Sequence, residues 1–185
     1  PGFDPTPIPV CTGSPVDMNH ATVAGFNSSC AQATLVTWDF GDGNTLTQFS
    51  VDPTTYTYTA PGTYDITLTA GNSCATGDSV RTVCVEDPPT PEFVITPDTA
   101  CGPFIGVVTD LSDLSNTCNV TYSWQVLFNG SLCLPSAGTY NFVNGTTPAD
   151  QEPEIEFVDY GEYTVRLTLT NACGSFTYDQ EVLVK

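Results

Sequence analysis

The chain has 185 residues, with 21 acidic side chains against three basic ones, and a formal net charge of −18. That balance excludes nucleic acid as a partner, because phosphate binding needs clustered Lys and Arg, and an anionic membrane surface would repel it for the same reason. No run approaches the roughly 20 apolar residues that span a bilayer, so membrane insertion is not expected. Eight cysteines in a loop-rich chain point to an oxidising, extracellular compartment.

The first residues, Pro1-Gly-Phe-Asp-Pro-Thr-Pro, have neither Met nor a basic start. They are no signal peptide, and a segment of a longer secreted protein is expected. Asp17-Met-Asn-His-Ala-Thr alternates in polarity and reads as a strand carrying His20, the only histidine. In Val36-Thr-Trp-Asp-Phe-Gly-Asp-Gly43, Val36, Trp38 and Phe40 alternate with Thr37 and Asp39, and in 62–69 Tyr64, Ile66 and Leu68 alternate with Asp65, Thr67 and Thr69. Period-two patterning of this kind makes half-buried strands. Between them Gly41-Asp42-Gly43-Asn44 tolerates positive φ and predicts a tight turn.

The pattern then repeats. Pro1-Gly-Phe3 with Cys11 recurs as Pro91-Glu-Phe93 with Cys101, Val36-Thr-Trp38 as Tyr122-Ser-Trp124, and the run from Gly62-Thr-Tyr64 to Cys74 aligns without gaps to that from Gly161-Glu-Tyr163 to Cys173. Two domains are expected, 1–87 and 91–185, joined by a short, stiff, proline-rich linker over 88–90 that holds neighbouring sandwiches end to end as in a rod. In the second repeat Gln125-Val-Leu-Phe-Asn-Gly130 follows the Trp, and Asn129-Gly130 predicts a longer strand ending in a hairpin turn. An insertion, 131–145, comes next. No helix-period segment appears, and the chain reads as all-β.

Trp38-Asp-Phe-Gly-Asp-Gly43, followed by Tyr58-Thr-Ala-Pro-Gly-Thr-Tyr-Asp-Ile-Thr-Leu-Thr69 and Asn72, resembles the PKD (polycystic kidney disease) domain. The second repeat, through Tyr163-Thr-Val-Arg-Leu-Thr-Leu and Asn171-Ala-Cys-Gly174, resembles the divergent PKD-like repeats of secreted Bacteroidetes proteins. The resemblance implies two tandem immunoglobulin-like antiparallel β-sandwiches, used in extracellular surface proteins, adhesins and accessory modules of secreted enzymes, and not themselves catalysts.

Sequence alone cannot choose among the pairings of eight cysteines. Placed on the implied topology, with the B–C and F–G loops at one end, Cys30 and Cys74 share that end and Cys11, opening strand B, shares the other with Cys84. The expected bridges are Cys11–Cys84 and Cys30–Cys74 in the first repeat. In the second they are Cys118–Cys173 and Cys101–Cys133, because Leu183 stands where the partner of Cys101 would be. Zinc is disfavoured, since there is no C-x₂-C pair and a single histidine.

No catalytic residue is expected. A Ser-His-Asp arrangement needs a histidine with its own orienting acid, and His20 reads as a strand residue. Asp39 and Asp42 read as turn acids bonding nearby backbone N–H groups. The other reading for them, with Glu86 and Asp87, is a Ca²⁺ site gathered from separate loops; no other cofactor is expected. Tyr56, Tyr58, Tyr140 and Phe142 have the spacing of core or cross-strand pairs more than of a sugar platform. Asp78-Ser79-Val80 and Asp98-Thr99-Ala100 resemble bacterial O-glycosylation sites of the suggested lineage, at Ser79 and Thr99.

The favoured function is a non-catalytic structural or adhesion protein, a segment or subunit of a repetitive stalk, adhesin or filament. Its partners would be neighbouring repeats or further copies, added through 3–10 or 180–184 at a sheet edge. The alternative is an accessory module of a secreted hydrolase, binding or positioning a polysaccharide.

Overall fold

The computed structural model describes residues 2–20, 35–49, 52–71, 76–131 and 136–185, and none of these is helical. The chain divides into two compact units, Pro1–Asp87 and Pro88–Lys185. Thr90 and Asp113 exchange backbone hydrogen bonds of 3.1 and 3.0 Å. The stretch read as a linker over 88–90 therefore already makes a ladder contact of the second unit.

Unit 1 contains β1 (Val10–Cys11), β2 (Pro15–Asp17), β3 (Leu35–Asp39), β4 (Thr45–Phe49), β5 (Thr55–Thr57), β6 (Gly62–Gly71) and β7 (Thr76–Glu86). One sheet has the order β1-β7-β6-β3-β4 and the other is the pair β2-β5. The alternation in the Trp and Tyr strands sends Val36, Trp38, Ile66 and Leu68 inward, with Trp38 opposite Leu68 in the ladder. Met18, Phe40, Tyr58, Val83 and Val85 complete the core. Each fully buried large apolar side chain contributes on the order of 1.5–3 kcal/mol.

Unit 2 contains β8 (Phe93–Thr96), β9 (Thr99–Ala100), β10 (Phe104–Asp110), β11 (Thr121–Gly130), β12 (Tyr140–Val143), β13 (Glu154–Phe157), β14 (Gly161–Asn171) and β15 (Gly174–Val184). Its sheets run β12-β13-β10-β8 and β11-β14-β15-β9. The repeat seen in sequence recurs in packing. Phe3 meets Trp38 edge to face with ring centroids 5.0 Å apart, and Phe93 meets Trp124 at 4.6 Å.

Two readings are corrected. Cys11 does not open strand B: it lies in β1, which pairs in parallel with β7 (Val10↔Val85, Cys11↔Glu86). The counterpart in unit 2 is β9, parallel to β15 (Leu183↔Thr99, Val184↔Ala100). His20 likewise lies just past β2 instead of within it.

Asn129-Gly130 is not a hairpin turn. β11 continues through both residues, and the register against β14 slips between Phe128 and Gly130, with Gly130 at φ 123°. A glycine of positive φ serves a bulge as readily as a turn. Here Asn129 Nδ2 donates to Thr164 Oγ1 (2.8 Å) and Glu181 Oε2 (3.2 Å), which keeps the strand in its sheet. The next strand, β12, then joins the opposite sheet beside β13.

Candidate functional site

The acidic turn after β3 is built from its own chain. Asp39 Oδ1 accepts from Gly41 N at 2.9 Å, and Asp42 Oδ1 accepts from Asn44 N at 3.0 Å. Asp42 Oδ2 accepts from Tyr56 OH at 2.6 Å and from Asn44 Nδ2 at 3.1 Å. Gly41 has φ 78°, and a Cβ there would stand 2.8 Å from Asp65 O, so the turn accepts no side chain at that point. Desolvation pushes the Asp42 carboxyl up, yet the bonds from Tyr56 and Asn44 outweigh it and hold the group below the usual carboxylate range. Tyr56 is pushed up in turn, by burial and by its bond to Asp42. Its ring stacks on Phe40 at 3.7 Å.

Unit 2 builds a comparable acid differently. Asp110 accepts from Ser112 N (3.0 Å), Tyr122 OH (2.7 Å) and Gln151 Nε2 (2.8 Å). Here too desolvation raises the carboxyl and the hydrogen bonds more than offset it, leaving it lowered. Asp179 is lowered chiefly by its two bonds from Arg166, 2.8 and 2.7 Å. That is the one ion pair among the described residues.

Among the described residues no group of three or more His, Cys, Asp or Glu side chains is arranged to hold a metal. Asp42 commits both oxygens to Asn44 and Tyr56, and Asp39 commits Oδ1 to Gly41 N. Glu86, at the end of β7, is fully buried, and Asp87 is half-buried. Tyr58 is buried with its hydroxyl donating to Phe40 O at 2.9 Å. Tyr140 and Phe142 pack against the core of unit 2. The four aromatics considered for sugar stacking therefore serve the interior or its margin. Ser79 is half-buried in β7 and Thr99 exposed in β9.

Sequence reading missed the matched corners that start the Tyr strands. Tyr64 OH donates to Ala60 O at 3.0 Å, and Tyr163 OH to Asp159 O at 2.8 Å. A tyrosine bonding back to a backbone carbonyl a few residues upstream locks the turn into this strand. The signal was present, since both tyrosines fall at the same place in the ungapped repeat.

The Trp strands differ in one detail. Trp124 Nε1 donates to Asp150 O at 2.8 Å, whereas buried Trp38 Nε1 has no hydrogen-bond partner among the described residues. In unit 1 the carbonyl of Asp52 instead contacts His20 Nε2 at 2.7 Å and accepts from Gln48 Nε2 at 3.0 Å.

Cys11, Cys84, Cys118 and Cys173 are disulfide-bonded, two in each unit. We propose the pairings Cys11–Cys84 and Cys118–Cys173. Cys101 is a free, exposed thiol, which corrects the expected Cys101–Cys133 bridge. Across the ladder Leu183 offers Cys101 no partner either, and Cys133 itself, like the expected pair Cys30–Cys74, lies outside the described residues.

The PKD domain model matches residues 3–85 and 103–184, one copy in each unit. The chain belongs to the PKD domain family. Only PKD domains are matched in it, and PKD domains are typically non-catalytic extracellular modules. No curated protein matches its sequence. Among solved structures, the titin I-band fragment I67–I69 is similar at 16% identity and a TM-score of 0.51, over 100% of this chain and 65% of that one. A chain from the mouse coronavirus receptor-binding domain complexed with its murine receptor is similar at 13% identity and TM-score 0.52, over 100% and 98%. The fibronectin(III)-like modules of CbhA from Clostridium thermocellum follow at 15% identity and TM-score 0.47, over 100% and 93%. At these identities the likeness to the titin fragment and the receptor-complex chain is one of fold. None of these matches supports a Bacteroidetes source.

Proposed function

We propose that this PKD protein is a non-catalytic, extracellular structural element, a segment or subunit of a repetitive stalk, adhesin or filament. One observation carries the reading: two complete sandwiches stand in tandem, each with a core filled by its own Trp and Tyr strands and each with disulfide-bonded cysteines. Disulfides persist in oxidising surroundings, and an interior closed by its own side chains holds no substrate.

Association with further copies by strand addition would need a free edge. The expected segments lie beside such edges: β1 ends its sheet, bonded to β7 alone, and β9 ends the sheet of β15, while Phe3 is buried and Thr6 bridges Asp17. The accessory-module reading draws no support from the inward-packed aromatics.

Electron microscopy of the native material tests the proposal. Repeating beads of PKD size along a filament or stalk are the expected outcome. Beads attached to a catalytic body, with retention on a polysaccharide matrix, would replace it with the accessory-module reading.

A further inference from the structure

The two units differ at the position where the terminal strands meet. In unit 1, β1 runs parallel to β7, and Val10↔Val85 sets Pro9 opposite Cys84, so Cys11 stands two residues beyond that register position. In unit 2, β9 runs parallel to β15, Leu183 is opposite Thr99, and Cys101 again stands two residues beyond. The hydrogen bonds that close the two ends also correspond: Thr12 N donates to Glu86 O at 2.9 Å and Gly102 N to Lys185 O at 2.8 Å. The backbone arrangement is the same. Only the chemistry differs, with a bonded Cys84 in one unit and, in the other, Leu183 at that position and a free Cys101.

We infer that unit 1 is shielded from tension by its terminal-strand disulfide, while unit 2 is built to yield. This rests on the structural, load-bearing reading given above. Tension entering unit 1 ahead of Cys11 crosses the sulfur bridge to Cys84 and leaves through 85–87, so residues 12–83 never carry load. In unit 2 nothing covalent joins β9 to β15. Those strands shear apart, the chain pays out until Cys118 and Cys173 arrest it, and residues 119–172 stay folded. Reduction removes both arrests, which makes the array's extensibility depend on thiol chemistry.

The test is to pull the whole chain by its two ends in an optical trap. Under oxidising conditions one substantial unfolding event is expected, releasing up to about 130 Å of contour at roughly 3.4 Å per residue. After reduction two events are expected, each about 300 Å, more than twofold longer. Leu183→Cys places a thiol at the position equivalent to Cys84. It should bond to Cys101, seen as resistance to thiol labelling of the oxidised chain, and abolish the 130 Å event. The double variant Cys11→Ser/Cys84→Ser should add a long event from unit 1 without reductant. A long event from unit 1 in the oxidised wild type would overturn the inference. So would a Leu183→Cys protein whose Cys101 stays labelled, or one that forms the bridge and still yields. These results are independent of microscopy on native material, so failure of the functional reading and failure of this mechanism are separable.

Discussion

The Trp strand of unit 1 and that of unit 2 begin alike and end differently, and the difference decides where the following strand goes. In unit 1 Gly41 is pressed against Asp65, Asp42 ties Asn44 and Tyr56, and the chain reverses at once, so β4 joins the same sheet as β3. In unit 2 the chain runs on through a bulge held by Asn129, and β12 crosses to the opposite sheet. A common core thus leaves the sheet assignment of an edge strand to a few turn residues. The same regions diverge in polar satisfaction, since Trp124 finds a loop carbonyl for its N–H and Trp38 finds none among the described residues.

The strongest way to break the comparison is to empty the cores. Trp38→Ala and Trp124→Ala should each cost about 3–5 kcal/mol, each lowering the melting transition of its own unit in calorimetry. Gly41→Ala should come next, at about 2–4 kcal/mol, because it adds a backbone clash to an unfavourable φ. Gly130→Ala meets no neighbour within 4 Å and should cost only about 1 kcal/mol from its φ. Equal urea midpoints for these two glycine variants would dissolve the distinction between turn and bulge.

The conservative Trp→Phe pair sharpens the comparison further. Trp124→Phe leaves Asp150 O without its donor and should cost about 1 kcal/mol more than Trp38→Phe, which removes an N–H without a partner among the described residues. Tyr163→Phe should lose about 1 kcal/mol, and Tyr64→Phe less, since Tyr64 is only partly buried. Smallest is the acid response. Asp42, Asp110 and Asp179 are held below their ordinary range in the folded state. Their contribution is therefore complete above the unfolded carboxylate pKa of about 3.9 and is lost as pH falls through the folded values. Tyr56→Phe and Tyr122→Phe should raise the Asp42 and Asp110 carboxyls respectively, measurable by NMR titration, and shift the onset of acid destabilisation upward.

The strands were legible because period-two alternation reports burial directly, and Val36, Trp38, Ile66 and Leu68 all face inward as their spacing requires. The turn at Gly41 was legible for a similar reason, since its residue types suit few other conformations. Asn129-Gly130 was misread because positive φ is shared by turns and bulges, and only the partner strand distinguishes them. The strand of Cys11 was misjudged because a two-residue parallel contact carries no periodicity. Burial of Glu86 is a tertiary effect, reached where β7 pairs with β1 opposite Cys11, and an acidic residue beside prolines reads as exposed. Cys101 finds no thiol across the ladder because Leu183 stands where unit 1 has Cys84, a difference the repeat alignment singled out.

The rarity of cations has a consequence for resistance to proteolysis. Arg81 lies within β7, paired to Ile66, and Arg166 within β14, between Gln125 and Asp179. A protease that cuts after basic side chains finds both internal targets held in the middle of hydrogen-bonded strands, with Lys185 as the sole other choice. Digestion by trypsin-like enzymes must await unfolding, so the chain should outlast neighbours whose loops carry lysine.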